Sequence, residues 1–367
     1  MPVALVYWGR LGAGASLMDQ IAGAISCDER FDLFLSPSLQ SELPPRFPAE
    51  RLLAIDTFTR LRSLVYRTVT LPATIRRLIR DLRARNVQAI VTIMPHVWGL
   101  PLQRAAARAG IRTLLIVHDA DPHPGERRSL FDWLVRREIR GSDGIVTFSD
   151  YVADRLVARG DAGEDRISRL FHPIFRFGKP RLSGRGRPFR LLFFGRIQPY
   201  KGVAMLLDAF AQLRAAGIDA TLRIVGRGEI DAPDALKTQP GVTIDTGWVA
   251  PDAIGDILTG ADAIVLPYLE ASQSGVVAAA YGAGLPVVAT PVGGLGDQVI
   301  DGTTGTLAVR ATAGAFASAM QRLIQTQALY ETCRIGVDAH AKTQSPENFA
   351  RVLGDAILTT VSMPRRT

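Results

Sequence analysis

The stretch from Leu266 to Gly294 restricts the possible folds more than any other part of the chain. Two short apolar runs, Ala263 to Leu266 and Pro286 to Ala289, bracket a small-residue segment that opens at Gln273-Ser274-Gly275. Bounded runs of this length read as buried strands, so the order is strand, loop, helix, strand, the repeating unit of a parallel sheet. Ser274 stands where an N-cap belongs, which leaves the amides of Gly275, Val276 and Val277 as donors with no intrahelical acceptor. Such an end attracts anions, and Gly275, having no Cβ, lets a phosphate come close to the backbone.

At 367 residues the chain exceeds what one core usually supports, which predicts two domains. Lysine and arginine number 43 against 35 acidic residues, a net charge of +8, and many of the arginines precede Pro188. A positive surface suits lipid headgroups, nucleotides or nucleic acid, or is simply a solvated face. The arginines are not interleaved with aromatics and no recognition motif appears, which argues against nucleic acid. Cys27 and Cys333 show neither CxxC nor zinc spacing, which points to a reducing, cytoplasmic setting. The apolar start Met1 to Tyr7 meets Trp8-Gly9-Arg10 at once, too short for a signal segment, and no run is long enough to span a bilayer.

The first half alternates strands and helices. Val3 to Tyr7 reads as a strand, followed by Gly9-Arg10-Leu11-Gly12-Ala13-Gly14 and the helical period of Leu17, Ile21 and Ile25. That glycine-rich turn is a candidate phosphate contact, although its spacing departs from the dinucleotide fingerprint. Phe31 to Leu35, Leu52 to Ile55, Ala89 to Met94, Arg112 to Val117 and Gly144 to Phe148 read as further strands of an open doubly wound sheet. The helix expected over Pro72 to Arg85 sets Ile75, Leu78, Ile79 and Leu82 on one face and five arginines elsewhere, a pattern shared by surface helices and by helices that lie on anionic lipid. His118-Asp119-Ala120-Asp121-Pro122-His123-Pro124-Gly125-Glu126 follows a strand, where open α/β sheets place ligands. Metal ligation, sugar recognition by His118, and a plain solvated turn all fit this cluster.

Arg176 to Pro188, basic and without apolar period, reads as a linker between domains at 1–175 and 189–345, with 346–367 a final helix late enough to reach back to the first domain. In the second half Arg190 to Phe194 is a strand, and Arg196 and Lys201 flank the turn after it, a planar fork and a point charge suited to one pyrophosphate. Thr221 to Val225, Val242 to Asp245 and Gly305 to Val309 are the remaining strands, with helices near Ala315 to Ile324 and Phe349 to Thr359.

Phe194-Gly195-Arg196 with Lys201-Gly202, Ile224 to Gly228, Thr246 to Val249, Pro267-Tyr268 through Ser274-Gly275, Gly284 to Thr290 and Gly293-Gly294 occur in the order seen in family 4 glycosyltransferases. The second half resembles that family throughout; in the first half the likeness rests on the Gly12 to Gly14 loop and the His118 cluster. The resemblance implies a GT-B fold, two Rossmann-like doubly wound parallel-sheet domains facing a central cleft. It further implies a retaining, metal-independent transferase that needs no cofactor and takes a nucleotide diphosphate sugar as donor. By position Arg196 and Lys201 would hold the pyrophosphate, with Ser274, Gly275 and Val276 meeting it from the other side. Gly226, Trp248 and Val249 would border the base, Gly12 and Gly14 would approach the phosphate, and His118 would contact the transferred sugar. The family commonly carries two glutamates, which here fall on Ala271 and Ala279; Glu270 lies one residue from the first position. The variant from Tyr268 to Gly275 resembles a branch found in bacterial polysaccharide assembly, implying a glycan or lipid-linked acceptor and a cytoplasmic protein that can sit peripherally at the inner membrane. Two alternatives remain open: a metal-dependent hydrolase centred on His118, Asp119, Asp121 and His123, and a non-catalytic module that binds sugar nucleotides.

Overall fold

In the computed structural model, which describes residues 1–9, 13–40, 47–58, 61–121, 129–174, 176–178 and 185–364, the chain folds as two α/β units. One comprises Met1–Phe171 with Pro346–Thr367, the other His172–Ser345.

The first unit holds a sheet of β1 (Pro2–Tyr7), β2 (Asp32–Pro37), β3 (Ala89–Thr92), β4 (Arg112–Val117), β5 (Gly144–Thr147) and β6 (Ile167–Arg169), parallel throughout and ordered β2-β1-β3-β4-β5-β6. Strands buried on both faces need continuous apolar runs, and β1 and β4 supply them. The run Leu52 to Ile55 is not a strand; it meets the sheet through isolated bridges from Leu52 to Leu35 and from Ile55 to Ser38, and the Ser36 hydroxyl donates to its Leu53 carbonyl at 2.9 Å. β6 has no apolar signature, being three partly buried to exposed residues at the sheet edge, and sequence pattern does not reveal it. Between the strands lie α1 (Ala13–Ile25), α2 (Leu61–Ala84), α3 (Gly99–Arg108), α4 (Ser129–Gly141) and α5 (Asp150–Ala158). The helix expected to begin near Pro72 instead starts eleven residues earlier and carries that proline in its interior.

The second unit repeats the plan with β7 (Phe189–Phe194), β8 (Ala220–Gly226), β9 (Val242–Thr246), β10 (Ala263–Leu266), β11 (Val287–Ala289) and β12 (Gly305–Leu307), ordered β12-β11-β10-β7-β8-β9 and again parallel. Its helices are α6 (Val203–Ala215), α7 (Asp234–Lys237), α8 (Ile254–Thr259), α9 (Gly275–Gly282), α10 (Leu295–Gln298), α11 (Ala313–Gln325) and α12 (Gln327–Thr343). The segment before β7 belongs to this unit: the Gly186 amide donates to Asp262 Oδ1 at 2.9 Å, and Asp262, fully buried, also takes the Arg190 amide and guanidinium.

The last helix, α13 (Pro346–Ser362), returns to the first unit, where it packs on α1 and on the sheet. Phe349 meets Phe148 edge-on at 5.9 Å, and Arg30 joins Asp355 at 2.6 Å. Gly144 in β5 leaves room for Thr360, whose Oγ1 would lie 2.3 Å from a Cβ there.

Candidate functional site

Each sheet has one place where the strand order reverses, and open α/β sheets bind ligands at the carboxyl ends of the strands there. In the second unit β7 leads through α6 to β8, while β10 leads through α9 to β11 on the other side, so the reversal falls between the neighbours β7 and β10. Glycines let the turns after these strands close on one another. Gly195 sits at φ +127°, and a Cβ on it would lie 3.6 Å from Val276 Cγ2, so the turn after β7 lies against the first turn of α9. Gly202 is left-handed at φ +66°, and any side chain there would strike the Pro267 carbonyl, 2.0 Å from the Cβ position.

This approach brings Lys201 to α9. Lys201 Nζ donates to the Tyr268 hydroxyl at 2.7 Å and lies 3.9 Å from the centre of its ring. That hydroxyl is 3.4 Å from Ser274 Oγ, and Ser274 Oγ caps α9 by accepting from the Val276 amide at 3.3 Å. Tyr268 and Ser274 are both buried, so the cation is coupled to the helix end by a fixed relay. Arg196 is exposed in the same turn that leads to Lys201.

The amides at the start of α9 differ from expectation in one respect. Val276 donates to its own cap and Val277 to the Ser274 carbonyl at 3.1 Å, so neither is a free donor; of the three amides, that of Gly275 is the one with no partner among the described residues. Gln298, which no spacing in the sequence connects to Ser274, clamps the cap from both sides. Its Oε1 accepts from the Ser274 amide at 2.7 Å and its Nε2 donates to the Ser274 carbonyl at 3.3 Å. Tyr281 fixes Gln298 in turn, donating to its backbone carbonyl at 2.9 Å.

On the far side of β7, Gly226 and Gly228 pass so close to the turn after β7 that a Cβ would come within 1.7 Å of Gly195 O and 2.1 Å of Ile197 O. The Gly247 amide donates to Gly226 O at 3.1 Å, which sets exposed Trp248 and half-buried Val249 on the neighbouring turn after β9. Glu270 is exposed beside Leu269, whose amide donates to Tyr200 O at 2.7 Å. Ala271 and Ala279 are buried and offer no polar group.

In the first unit the reversal lies between β1 and β3. Gly14 opens α1 there, with Tyr7 and Met94 so close that a Cβ would lie 2.5 and 2.7 Å from them. Gly12 lies outside the described residues, as do His123 and Glu126. Trp8, Phe58, His96 and Trp98 form an aromatic cluster with contacting ring centres 5.4 to 6.4 Å apart, edge-to-face except for the tilted pair Phe58 and His96. Burial pushes the His96 imidazole down to about 4, so it is neutral at pH 7. The buried Glu138 carboxyl accepts from the His96 amide at 3.4 Å, and desolvation pushes it up to about 8. Gly99 makes room for it; a Cβ there would lie 2.0 Å from Glu138 Oε1.

His118 follows β4 and is buried, with Nε2 donating to the Ile93 carbonyl at 3.0 Å and the ring edge-on to Phe148. Burial lowers its pKa, against the opposing pull of Asp119. A neutral ring donating through Nε2 keeps Nδ1 as an acceptor, suited to a hydroxyl and unsuited to stabilising negative charge. Asp121 is occupied on both oxygens, by Arg155 at 2.8 Å and Arg159 at 2.7 Å. Among the described residues no group of three or more metal-ligating side chains occurs, and the hydrolase reading loses Asp121 to these ion pairs.

Two family models divide the chain: residues 12–170 match the glycosyl transferase 4-like domain, and residues 188–326 match glycosyl transferases group 1. The chain belongs to the family 4 glycosyltransferases. Among relatives in the family, the D-inositol 3-phosphate glycosyltransferase of Rhodococcus jostii is 28% identical over 274 residues, covering 69% of this chain and 59% of that protein. That of Paenarthrobacter aurescens is 30% identical over 234 residues, covering 58% and 56%. The matches thus span less than two thirds of these curated relatives. A glycosyltransferase from Rickettsia africae superposes with a TM-score of 0.73 at 15% identity, covering 99% of each chain. Anabaena HepE in complex with UDP gives 0.72 at 15% identity, covering 98% of this chain and 99% of that one. Likeness at this level shows the shared fold, GT-B.

Proposed function

We propose that this family 4 glycosyltransferase moves a sugar, with retention, from a nucleotide diphosphate sugar to a glycan or lipid-linked acceptor in bacterial polysaccharide assembly, and does so without a metal or other cofactor. The observation that carries the reading is the relay from Lys201 through Tyr268 to Ser274, which sets a cation and a helix N-terminus at one strand-order reversal. In this reading the bond from the anomeric carbon to the diphosphate breaks and the electron pair leaves with the β-phosphate oxygen. Lys201 and Arg196 meet that growing charge, and the Gly275 amide adds a backbone donor. Donors held ready where charge develops are usually the largest catalytic contribution, because they need no reorganisation during the step. His118 Nδ1 accepts from a hydroxyl of the sugar, Gly226, Trp248 and Val249 border the base, and Gly14 approaches the phosphate.

The solved neighbour described in complex with UDP-glucose supports a uridine donor as the first to test. The curated relatives are named for D-inositol 3-phosphate, which supports a small phosphorylated polyol as an acceptor to set beside lipid-linked glycans. The test is turnover of a panel of uridine, guanosine and adenosine diphosphate sugars with and without EDTA. Release of one nucleotide diphosphate, insensitive to EDTA, is the expected result; no binding and no hydrolysis of any donor would defeat the reading.

A second reading is favoured by Ala271 and Ala279, which cannot hold sugar or ribose where the family commonly has glutamates. On that reading the chain binds sugar nucleotides without transfer. Donor binding with no product from any acceptor selects it, and Glu270→Gln without effect on turnover would show that Glu270 does not replace the first glutamate.

A further inference from the structure

The positive charge of the chain is concentrated on three helices. α2, α3 and α4 together carry eleven arginines against three acidic residues, and the excess for the whole chain is only +8, so the remainder is close to neutral; Arg67 is held by Asp56 and Arg136 and Arg140 by Asp161, which leaves the open charge mainly on the second half of α2 and on α3. α2 packs on α3 and α3 on α4, making one layer whose amino ends lie at the carboxyl edge of the sheet. Trp98 Nε1 donates to Thr68 Oγ1 at 3.0 Å and fixes the amino half of α2 beside the residues that follow β3.

Large apolar side chains stand in solvent on these amino halves. On α2 they are Val65, Tyr66 and Val69, 64, 64 and 76% exposed; on α4 they are Leu130 at 70%, Phe131 at 36% and Trp133 at 49%. Of the residues of α2 that enter the core, Leu71 lies near the middle of the helix and Ile75, Leu78, Ile79 and Leu82 in its second half, while Leu64 of the amino half packs against the core only in part. The exposed stripe of α2 therefore changes character along its length, apolar at Val65, Tyr66 and Val69 and cationic at Arg76, Arg77, Arg80 and Arg83. Single exposed apolar residues are ordinary, but a cluster on adjacent helices marks a surface made to be covered. The arginines say by what: an apolar partner bearing negative charge. Tyrosine and tryptophan suit the boundary between headgroups and acyl chains, and the Arg137 guanidinium stacks on Trp133 at 4.9 Å, ready to reach phosphate when the indole enters that boundary. Among the described residues no helix is long and apolar enough to cross a membrane, so contact through this face would be peripheral.

We propose that the amino halves of α2 and α4 are the face by which this protein lies on an anionic bilayer, with Val65, Tyr66, Val69, Leu130, Phe131 and Trp133 entering the headgroup region and Arg137 together with the exposed arginines of α2 pairing with lipid phosphates. The arginine-rich half of α2 anchors the layer and supplies long-range attraction, while the apolar half determines depth and orientation. This face does not depend on the donor chemistry, so it stands or falls separately from the transferase reading.

The test is sedimentation with phosphatidylcholine vesicles, with and without phosphatidylglycerol. The protein should pellet only with the anionic vesicles, less so at high salt, and Trp133 emission should shift to the blue. A Val65→Ser, Tyr66→Ser, Val69→Ser triple variant and Trp133→Ser should each lower partitioning at least tenfold with the thermal midpoint unchanged, because these side chains contribute little to the core. Arg76→Glu with Arg80→Glu should remove mainly the salt-sensitive part. Failure of the wild type to pellet, or variants that pellet like the wild type, would overturn the proposal. So would sedimentation velocity without lipid showing a dimer that the same substitutions dissociate, since the face would then belong to a second copy of the chain.

Discussion

Lys201, Tyr268, Ser274 and Gln298 meet at the strand-order reversal of the second unit; at that of the first the residues are Trp8, Phe58, His96 and Trp98, with the Glu138 carboxyl on the His96 amide. The sheets are built to one plan, yet one site is cationic and edged with a helix N-terminus while the other is aromatic. The titratable groups of the aromatic site are held uncharged: between about pH 4 and 8 neither His96 nor Glu138 ionises. Topology places a site, and the side chains at the strand ends decide its electrostatics. An anionic diphosphate suits the cationic one, whereas Trp8 and Trp98 of the other are buried in the core and brace the strand ends there.

The strongest way to break this contrast is Lys201→Ala. Loss of a preorganised cation at the leaving diphosphate should lower kcat/KM about 10²- to 10³-fold, roughly 3–4 kcal/mol, with the fold retained. Turnover close to wild type would remove the phosphate assignment.

The uncharged character of the first site is tested by Glu138→Gln. The folded carboxyl titrates near 8 and the unfolded one near 4.5, so the native state favours the proton. Its contribution is complete below about pH 4.5 and is lost as pH rises to about 8. Glutamine keeps the acceptor for the His96 amide and removes the titration, so denaturant unfolding should show the variant gaining about 3 kcal/mol on the wild type between pH 5 and pH 8.5. Parallel stability curves would show that Glu138 is ionised in the fold. His96 acts in the opposite direction: its stabilisation as a neutral ring is present above about pH 6.5 and is lost as pH falls toward 4.

Gln298→Ala should raise donor KM several-fold, on the order of 1–2 kcal/mol, because the Ser274 amide and carbonyl lose their clamp and the helix end loosens. An unchanged KM would show that α9 holds its cap without help. The smallest effect is expected from Tyr268→Phe. It keeps the ring under Lys201 and deletes the relay hydroxyl, so donor turnover should fall by about 1 kcal/mol in transition-state stabilisation. A loss as large as that of Lys201→Ala would show that the hydroxyl, rather than the cation, organises the site.

Much of the architecture could be read from residues alone, because strands buried on both faces write themselves as apolar runs. β1, β4, β7 and β10 were legible for that reason, and so was the N-cap at Ser274, a local device carried by one side chain and the amide two residues later. Edge pieces were not: β6 has no apolar run, and Leu52 to Ile55 has one but pairs with the sheet through isolated bridges rather than as a strand. α12 buries only Tyr330, Cys333, Val337 and Ala341, about one residue per turn, too sparse a stripe to declare itself in the residues.

The amino-acid sequence by itself determined the order of strands and helices, the family, and which turns carry cations or glycines, since these depend on neighbours along the chain. Tertiary structure alone decided that Lys201 reaches Ser274 through Tyr268, that Gln298 holds the cap from 24 residues away, that the Val276 amide is already engaged, and that Asp121 is taken by Arg155 and Arg159. The physical reason is range. Periodicity and capping act within a few residues, whereas a site at a strand-order reversal is assembled from the ends of strands distant in sequence, and its hydrogen bonds exist only once the sheet has set those ends side by side.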